Sequence, residues 1–197
     1  MLSLVFATNN ANKVKEMRSV LGEGFEILSL KEAGIDIEIP EPHATLQKNA
    51  LEKASTIHNL VNQNCFSEDT GLEVFALNNE PGVKSARYAG DSASNTDNIN
   101  KLLRKLNGMD DRRAQFRTVI CLFWDGETHF FEGLCPGVIT SKPAGLEGFG
   151  YDPVFIPNGD ERTFAQMPLE EKNRYSHRKK AMEKLITFLN NYGARKN

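Results

Sequence analysis

Hydroxyl, amide and ammonium side chains follow one another in residues 8–13, between an apolar run and a helical pattern. The N–H groups at a helix N-terminus are unpaired and carry roughly half a positive charge, so anions bind there. Thr8 and Asn10 would add hydrogen bonds, and Lys13 a full positive charge. The segment contains neither GxxxxGK[ST] nor GxGxxG. It therefore predicts an anion site, and the alternative is an Asn cap beside a solvated lysine.

Acidic residues stand on both sides of a long helical pattern: Glu38 and Glu41 precede it, and Glu68 and Asp69 follow the short strand after it. Adjacent carboxylates on an extended chain point to opposite sides, so one can hold a metal while the other orients or deprotonates a water. The helix between the two acidic pairs carries the chain back toward its starting edge. We therefore expect the pair Glu38 and Glu41 and the pair Glu68 and Asp69 to lie at one edge of the sheet, where α/β folds bind ligands. Gly71 predicts a tight turn there, and a turn capped by these acids is the alternative.

Two aromatic rings alternate with glycines in residues 148–153, which read GFGYDP. Glycine lets the backbone approach a ligand closely, and Asp152 can accept hydrogen bonds from ring N–H groups. Stacking a base on an aromatic ring contributes about 1–3 kcal/mol. The segment predicts a platform for a base carried by Phe149 and Tyr151, with a structural turn around buried rings as the alternative.

The C-terminal helical pattern begins with positive charge. Ser176 is a good N-cap, yet His177, Arg178, Lys179 and Lys180 occupy the first turn. Positive charge there opposes the helix dipole and costs a few tenths of a kcal/mol per residue, roughly. Local rules are broken most often at functional sites, so this helix start is a second candidate anion site. Solvated side chains remain the alternative for the two lysines.

Hydrophobic periodicity predicts the elements that position these segments. Strands are predicted at residues 2–7, 25–29, 65–67, 116–123 and 128–131. Helices are predicted from Asn12 to a stop at Gly22 and Gly24, over 46–61, around 99–106, and from 176 to a stop at Gly193. Asp125-Gly126 predicts a hairpin, and residues 136–153 a loop. Alternating helices and strands with one hairpin indicate a mixed α/β or α+β fold, whose first two strands are parallel.

Length and charge narrow the class of protein. The chain has 197 residues, with 24 Lys+Arg against 26 Asp+Glu and a formal net charge of −2. This length favours one domain over residues 1–197, in which a central insertion can form a second lobe. The near-neutral balance argues against a dedicated nucleic-acid-binding protein. No apolar stretch approaches the roughly 18 residues of a membrane helix, so no membrane partner is expected.

Cysteine and histidine usage gives no metal pattern. Cys65, Cys121 and Cys135 are widely spaced without a CxxC pair, which predicts reduced thiols and a cytoplasmic location. The apolar start of the chain lacks a basic flank and reads as a strand rather than a signal peptide. The four histidines lack the spacing of a zinc site.

Taken together, two anion sites, a carboxylate group and an aromatic platform describe a nucleoside triphosphate site. The chain resembles the inosine triphosphate pyrophosphatases, which hydrolyse non-standard purine nucleoside triphosphates. Six motifs in order carry the resemblance nearly from end to end: residues 7–13, 41–50, 68–72, 81–90, 148–153 and 171–178. The resemblance implies a mixed α/β fold with an elongated central sheet flanked by helices, two lobes around a cleft, and a homodimer.

The implied reaction is Mg²⁺-dependent cleavage of ITP, dITP or XTP between the α- and β-phosphates, which yields the monophosphate and pyrophosphate and cleanses the nucleotide pool. By the same resemblance, Asp69 is the general base and a magnesium ligand, assisted by Glu41 and Glu68. The implied substrate-binding residues are Thr8, Asn9, Asn10, Lys13, Lys53, Thr70, Phe149, Gly150, Tyr151, Asp152, Lys172, His177 and Arg178. Donors such as Lys172 suit the 6-oxo group of hypoxanthine and oppose the 6-amino group of adenine.

Several positions depart from the usual pattern of that family. Asn9 stands where Gly is common, Glu68 replaces a frequent Asp, and His43, Lys48 and Gln166 replace a usual Gly, Glu and Glu. Glu68 has a longer side chain than Asp and reaches further. Two rival functions remain open: a nucleotide-sensing protein without turnover, and a pyrophosphatase for pyrimidine or modified-base triphosphates.

Overall fold

The structure, a computed structural model, describes residues 2–21 and 24–195. These residues form seven strands and five α-helices. In chain order they are β1 (Leu2–Phe6), α1 (Ala11–Arg18), β2 (Phe25–Ser29), α2 (Leu46–Val61), β3 (Cys65–Val74), β4 (Glu80–Gly82), α3 (Asn95–Lys105), β5 (Arg113–Trp124), β6 (Glu127–Ile139), β7 (Phe155–Pro157), α4 (Leu169–Lys172) and α5 (His177–Arg195). The mixed α/β class predicted from the sequence is confirmed.

The strands pair in the order β2-β1-β3-β5-β6-β7, and β4 pairs with β3. β1 is parallel to β2 and to β3, with Val5 opposite Leu28 on one side and Cys65 on the other. The β3–β4 and β6–β7 pairs are antiparallel. The predicted parallel pair joined by a helix is therefore confirmed. Just past β1, the Ala7 N–H donates to the Phe66 carbonyl at 2.8 Å, which brings residues 8–13 beside β3.

The chain divides into two compact units, and unit 1 comprises residues 1–69, 118–133 and 178–197. Its main core joins β1, α1, β3, β5 and α5, and the rings of Phe6 and Phe66 stack there with centroids 4.5 Å apart. Asn10 caps α1 by accepting from the Asn12 and Lys13 N–H groups, and Thr45 caps α2 by accepting from the Lys48 N–H. Both helices thus begin at ordinary side-chain caps.

Unit 2 comprises residues 70–117 and 134–177. Its core contains one large apolar cluster in which Phe116 packs edge-on against Phe155 at 4.7 Å. Ser94 and Asp97 form a capping box at the start of α3, and each side chain accepts from the other's backbone N–H. The predicted stripe of apolar residues along α3 lies in this core, where Leu102 and Leu106 are fully buried.

Several element bounds match the predictions. β2 and α2 occupy the predicted residues, and the turn between β5 and β6 has Asp125 at φ 48° and Gly126 at φ 83°. Two positive φ values are what a two-residue hairpin of type I′ requires. Helix α1 is shorter than predicted: it ends at Arg18, so Val20 lies beyond it. The predicted stop at Gly22 lies outside the described residues.

The predicted turn at Gly71 is wrong, because β3 continues through it to Val74. A Cβ on Gly71 would lie 2.6 Å from the Gly82 carbonyl oxygen, so this glycine allows β4 to approach β3 closely. The loop predicted from residue 136 begins later, since β6 runs to Ile139. The stop at Gly193 is also wrong, because α5 extends to Arg195. One glycine weakens a helix by only about 1 kcal/mol relative to alanine, which does not end it.

No helix among residues 2–21 and 24–195 is both long and apolar enough to cross a bilayer.

Candidate active site

Two carboxylates of unit 1 meet on one ammonium group. Lys53 Nζ lies 2.5 Å from Glu41 Oε1 and 3.1 Å from Asp69 Oδ1. Lys53 and Asp69 are buried, whereas the Glu41 side chain is 25% exposed. The structure therefore brings together three residues that the sequence placed before, on and after helix α2.

Asn49, on the turn of α2 before Lys53, holds the other oxygen of Asp69. Its side-chain N–H donates to Asp69 Oδ2 at 3.3 Å. The same amide accepts from the His43 N–H at 2.9 Å and donates to the His43 carbonyl at 3.2 Å. Asn49 thus ties the segment ahead of α2 to Asp69, and its position four residues before Lys53 puts both on one helix face. Asn49 is not among the residues predicted from the sequence, although a polar residue on the apolar face of α2 is a signal that the sequence contains.

The charges in this group shift one another's protonation. Burial raises the pKa of Asp69, and Glu41 adds to the rise, while the positive charges of Lys53 and Lys13 oppose it; the pKa ends above its ordinary value. Burial lowers the pKa of Lys53, but the negative charges of Asp69 and Glu41 outweigh that effect and raise it overall. Lys53 therefore carries its positive charge at neutral pH.

Glu68, the neighbour of Asp69 on β3, belongs to a second group of charges in unit 1. Lys13 Nζ lies 2.7 Å from Glu68 Oε1, and Arg178 donates through Nε to Glu68 Oε2 at 3.2 Å. Arg178 also donates through Nη1 to Glu16, and both residues are buried. Burial lowers the pKa of Arg178, but Glu68 and Glu16 outweigh it and raise the pKa. Successive residues of a strand face opposite sides, so Glu68 and Asp69 contact different cations.

Glu16 is the second residue of these charge groups that was not predicted from the sequence. It lies on α1 three residues after Lys13 and is 5% exposed, between the buried residues Val14 and Met17. A carboxylate is rarely this buried unless it is paired. The signal available in the sequence was an acidic residue between two positions of an apolar helix stripe.

The side-chain oxygens of Thr8, Asn9 and Asn10 accept hydrogen bonds from backbone N–H groups in this structure. Asn10 Oδ1 accepts from the N–H groups of Asn12 at 3.0 Å and Lys13 at 3.2 Å. Thr8 Oγ1 accepts from the Asn10 N–H at 3.2 Å, and Asn9 Oδ1 accepts from the Lys31 N–H at 2.9 Å. The Asn cap that the sequence left as an alternative is therefore present, and Lys13 is the cation that the segment adds.

The carboxylates of unit 1 suit a hard divalent cation. Among residues 2–21 and 24–195, no three acidic, histidine or cysteine side chains cluster in a metal-binding group. Glu41 and Asp69 nevertheless direct two oxygens at one positive charge. Mg²⁺ commonly takes one or two carboxylates and completes its shell with water and substrate phosphates. This pair fits Mg²⁺ in that mode, whereas Glu68 is held by Lys13 and Arg178.

In unit 2, an ammonium, a carboxylate and an aromatic ring adjoin one another. Lys172 Nζ lies 2.6 Å from Asp152 Oδ2 and 5.4 Å from the centre of the Phe149 ring. Asp152 Oδ2 also accepts from the Phe149 N–H at 2.9 Å. Gly148 has φ +74°, and a Cβ there would lie 2.0 Å from Asp152 Oδ2, so only glycine fits that position. The half-buried Phe149 ring and the buried Lys172–Asp152 ion pair therefore place a stacking surface beside charged hydrogen-bonding groups.

Four other predicted residues of unit 2 have distinct surroundings. Tyr151 is buried in the core and donates through its hydroxyl to the Ser85 carbonyl at 2.9 Å. The His177 ring is buried and stacks on Phe116 with centroids 4.6 Å apart. Gly150 takes φ +61° in the loop between the two aromatic residues, and Thr70 lies half-buried within β3. Phe149 is therefore the more exposed of the two rings predicted to frame a base.

Comparison with known proteins identifies the family of this chain. Residues 4–188 match the Ham1 family. A dITP/XTP pyrophosphatase of Flavobacterium psychrophilum is 48% identical over 190 residues, which cover 96% of this chain and 100% of that protein. A dITP/XTP pyrophosphatase of Porphyromonas gingivalis is 50% identical over 190 residues, which cover 96% and 98% of the two chains.

Solved structures give the same result. The Staphylococcus aureus Ham1 protein matches with a TM-score of 0.87 at 39% identity, covering 96% of this chain and 99% of that one. A HAM1 protein from Coxiella burnetii matches with a TM-score of 0.88 at 36% identity, covering 97% and 100% of the two chains. Sequence and structure agree over nearly the whole length, and the chain belongs to the Ham1 family.

Proposed function

We propose that this protein is a pyrophosphatase that hydrolyses the non-standard purine nucleotides ITP, dITP and XTP to the monophosphate and pyrophosphate. The observation that carries the proposal is the buried Asp69 carboxylate, which lies beside Lys53 and shares that cation with Glu41. Relatives about half identical to this chain carry the name dITP/XTP pyrophosphatase. The six motifs identified in the sequence point to the same reaction.

The charges of unit 1 suit attack by water on a phosphoric anhydride. Asp69 takes a proton from the water, whose oxygen bonds to the α-phosphorus, while the bond from that phosphorus to the αβ bridging oxygen breaks and pyrophosphate leaves with that oxygen. A base is most effective when its pKa approaches the working pH, and burial raises the pKa of Asp69 in that direction. Lys13 and Lys53 supply positive charge for the phosphate oxygens, and Thr8, Asn9 and Asn10 precede Lys13 in the same segment.

We assign Mg²⁺ as the cofactor, with Glu41 and Asp69 as the residues that would hold it. A bound Mg²⁺ lowers the pKa of water and neutralises developing charge on the leaving group. Glu68 is a third candidate ligand, and it must share its carboxylate with Lys13 and Arg178 to serve. The role we infer for Arg178 and Glu16 is to orient Glu68.

Selection for the base is assigned to unit 2. Phe149 offers a ring for stacking, and the neighbouring ammonium of Lys172 offers a donor. The 6-oxo group of hypoxanthine or xanthine accepts from such a donor, whereas the 6-amino group of adenine cannot. An unmatched buried polar group can separate substrates by several orders of magnitude, roughly. Rejection of guanine must use its 2-amino group.

A panel of triphosphates tests this function. The purified protein is incubated with Mg²⁺ and, separately, ITP, dITP, XTP, ATP, GTP and dUTP, and pyrophosphate and orthophosphate are measured. We expect pyrophosphate from the first three, with much slower turnover of the others. Orthophosphate as the only phosphorus product, equal rates on ATP, or nucleotide binding without any product would contradict the proposal.

We also propose a homodimer that acts in the cytoplasm and keeps non-standard purines out of DNA and RNA. The resemblance described above supports the dimer and the role. The three cysteines, all buried as free thiols, support a reducing compartment such as the cytoplasm. Light scattering during size-exclusion chromatography tests the assembly, and a mass of one chain at micromolar concentration would contradict the dimer.

A further inference from the structure

Lys53 occupies the place that a divalent cation would need. Its ammonium is 2.5 Å from Glu41 Oε1 and 3.1 Å from Asp69 Oδ1, and the residue is only 6% exposed. Two neighbouring carboxylates, one of them buried, repel each other unless a positive charge lies between them. Lys53 therefore supplies the charge that lets Glu41 and Asp69 lie together.

An ammonium and a divalent cation compete for these oxygens. Mg²⁺ binds oxygen at about 2.0–2.1 Å and demands near-octahedral geometry, so it must approach Glu41 Oε1 and Asp69 Oδ1 more closely than the Lys53 ammonium does. Their positive charges also repel each other strongly where little water screens them. Ligation by Glu41 and Asp69 thus requires Lys53 to give up at least one of its two contacts.

We propose that Lys53 is the resident cation of the Glu41–Asp69 pair and releases it to a divalent cation only when a triphosphate offers the ammonium another anion. The proposal rests on the function proposed above and deepens it, because it orders the events: metal binds together with the nucleotide and not before it. Asn49, which holds Asp69 Oδ2 at 3.3 Å, keeps that carboxylate in place during the exchange.

The metal affinity of the protein without nucleotide tests the proposal. Mn²⁺, which reports binding by electron paramagnetic resonance, is titrated into the wild type, Lys53→Met and Lys53→Gln at pH 7. We expect both variants to bind Mn²⁺ at least about tenfold more tightly than the wild type, a change that needs only ~1.4 kcal/mol. Lys48→Met, which removes an exposed lysine from the same helix, is the matched control and should match the wild type.

The melting temperatures of the same variants, with and without Mg²⁺, give a second measurement of this exchange. Without Lys53 the two carboxylates repel each other, so both variants should melt at lower temperature than the wild type. Mg²⁺ should then raise their melting temperatures and leave that of the wild type nearly unchanged. Adding Glu41→Gln to Lys53→Gln removes one carboxylate and should abolish the gain in Mn²⁺ affinity.

Equal or weaker Mn²⁺ binding by the folded Lys53 variants overturns the proposal, as does a gain in affinity that persists in the Glu41→Gln double variant. Far-UV circular dichroism establishes that each variant is folded, and Lys53→Gln keeps a hydrogen-bond donor if Lys53→Met does not fold. Failure of the wild type to release pyrophosphate from ITP would overturn the proposed function alone. The Mn²⁺ affinities are measured without nucleotide and do not depend on turnover.

Discussion

Arg178 and Glu68, 110 positions apart in the chain, form a two-point ion pair in the interior of unit 1. The guanidinium donates through Nε to Glu68 Oε2 at 3.2 Å and through Nη2 to Glu68 Oε1 at 3.4 Å. Arg178 also donates to the buried Glu16. A planar fork of this kind fixes the orientation of a carboxylate as well as its charge. The positive charge of Arg178, at the start of α5, is thus directed at protein carboxylates in this structure.

Breaking this ion pair should destabilise the fold. Arg178→Met leaves Glu16 and Glu68 as buried acids without their guanidinium, and removing one partner of a buried pair costs about 3–5 kcal/mol. Arg178→Lys should recover only part of that loss, since one ammonium cannot reproduce the fork. Urea unfolding followed by circular dichroism measures the change. Lys180→Met, at an exposed position of α5, is the control, and an equal loss in both variants would contradict the assignment.

Asp69→Asn should abolish turnover while nucleotide binding survives. The amide keeps nearly the same shape but cannot accept a proton, and general base catalysis contributes typically about 10²–10⁴-fold. Pyrophosphate release from ITP and calorimetric binding of a non-hydrolysable ITP analogue separate the two effects. Substantial remaining activity would remove Asp69 as the base.

Lys172→Met should weaken discrimination between ITP and ATP. Lys172 makes a buried ion pair with Asp152 close to Phe149, and a hydrogen bond to a charged group contributes about 1.5–3 kcal/mol. We expect kcat/KM for ITP to fall roughly 10–100-fold and that for ATP to change less. Lys142→Met, at an exposed position of unit 2, is the control. An unchanged ratio between the two substrates would exclude Lys172 from base selection.

The thiols of Cys65 and Cys121 should resist alkylation in the folded protein. Burial raises the pKa of each to about 12, so almost no thiolate is present at pH 8. Iodoacetamide followed by mass spectrometry should leave both unmodified until guanidinium chloride unfolds the chain. Rapid labelling of either cysteine under native conditions would contradict its placement.

The same thiols predict loss of stability at alkaline pH. An unfolded cysteine titrates near pH ~8.5, below the folded value of about 12, so the folded state binds more protons between these limits. Their contribution to stability is complete below the unfolded pKa and declines as the pH rises toward the folded one. Urea midpoints between pH 7 and 11 measure the decline. It should be shallower in Cys65→Ala, and an unchanged slope would count against this thiol as a source.

The local sequence pattern was sufficient to predict most of the helices and strands. The parallel β1–β2 pair, helix α2 and the turn at Asp125-Gly126 were all predicted, because each depends on periodicity or on backbone angles of a few neighbouring residues. Gly71 shows where such patterns fail. It looks like a turn signal, yet it lies inside β3 because the Gly82 carbonyl approaches it from β4. A glycine can mark either a turn or a close contact between strands. Only the position of the neighbouring strand shows which of the two applies at Gly71.

The sequence by itself determined the family motifs, the mixed α/β class and the residue types that suit a triphosphate. The tertiary structure decided which cationic side chain pairs with which carboxylate. Lys53 lies between Glu41 and Asp69, Lys13 and Arg178 share Glu68, and Asn49 and Glu16 complete the two groups. Charged side chains at distant positions are equally compatible with many pairings. Burial selects among them, since a charge removed from water must find an opposite one within a few ångströms.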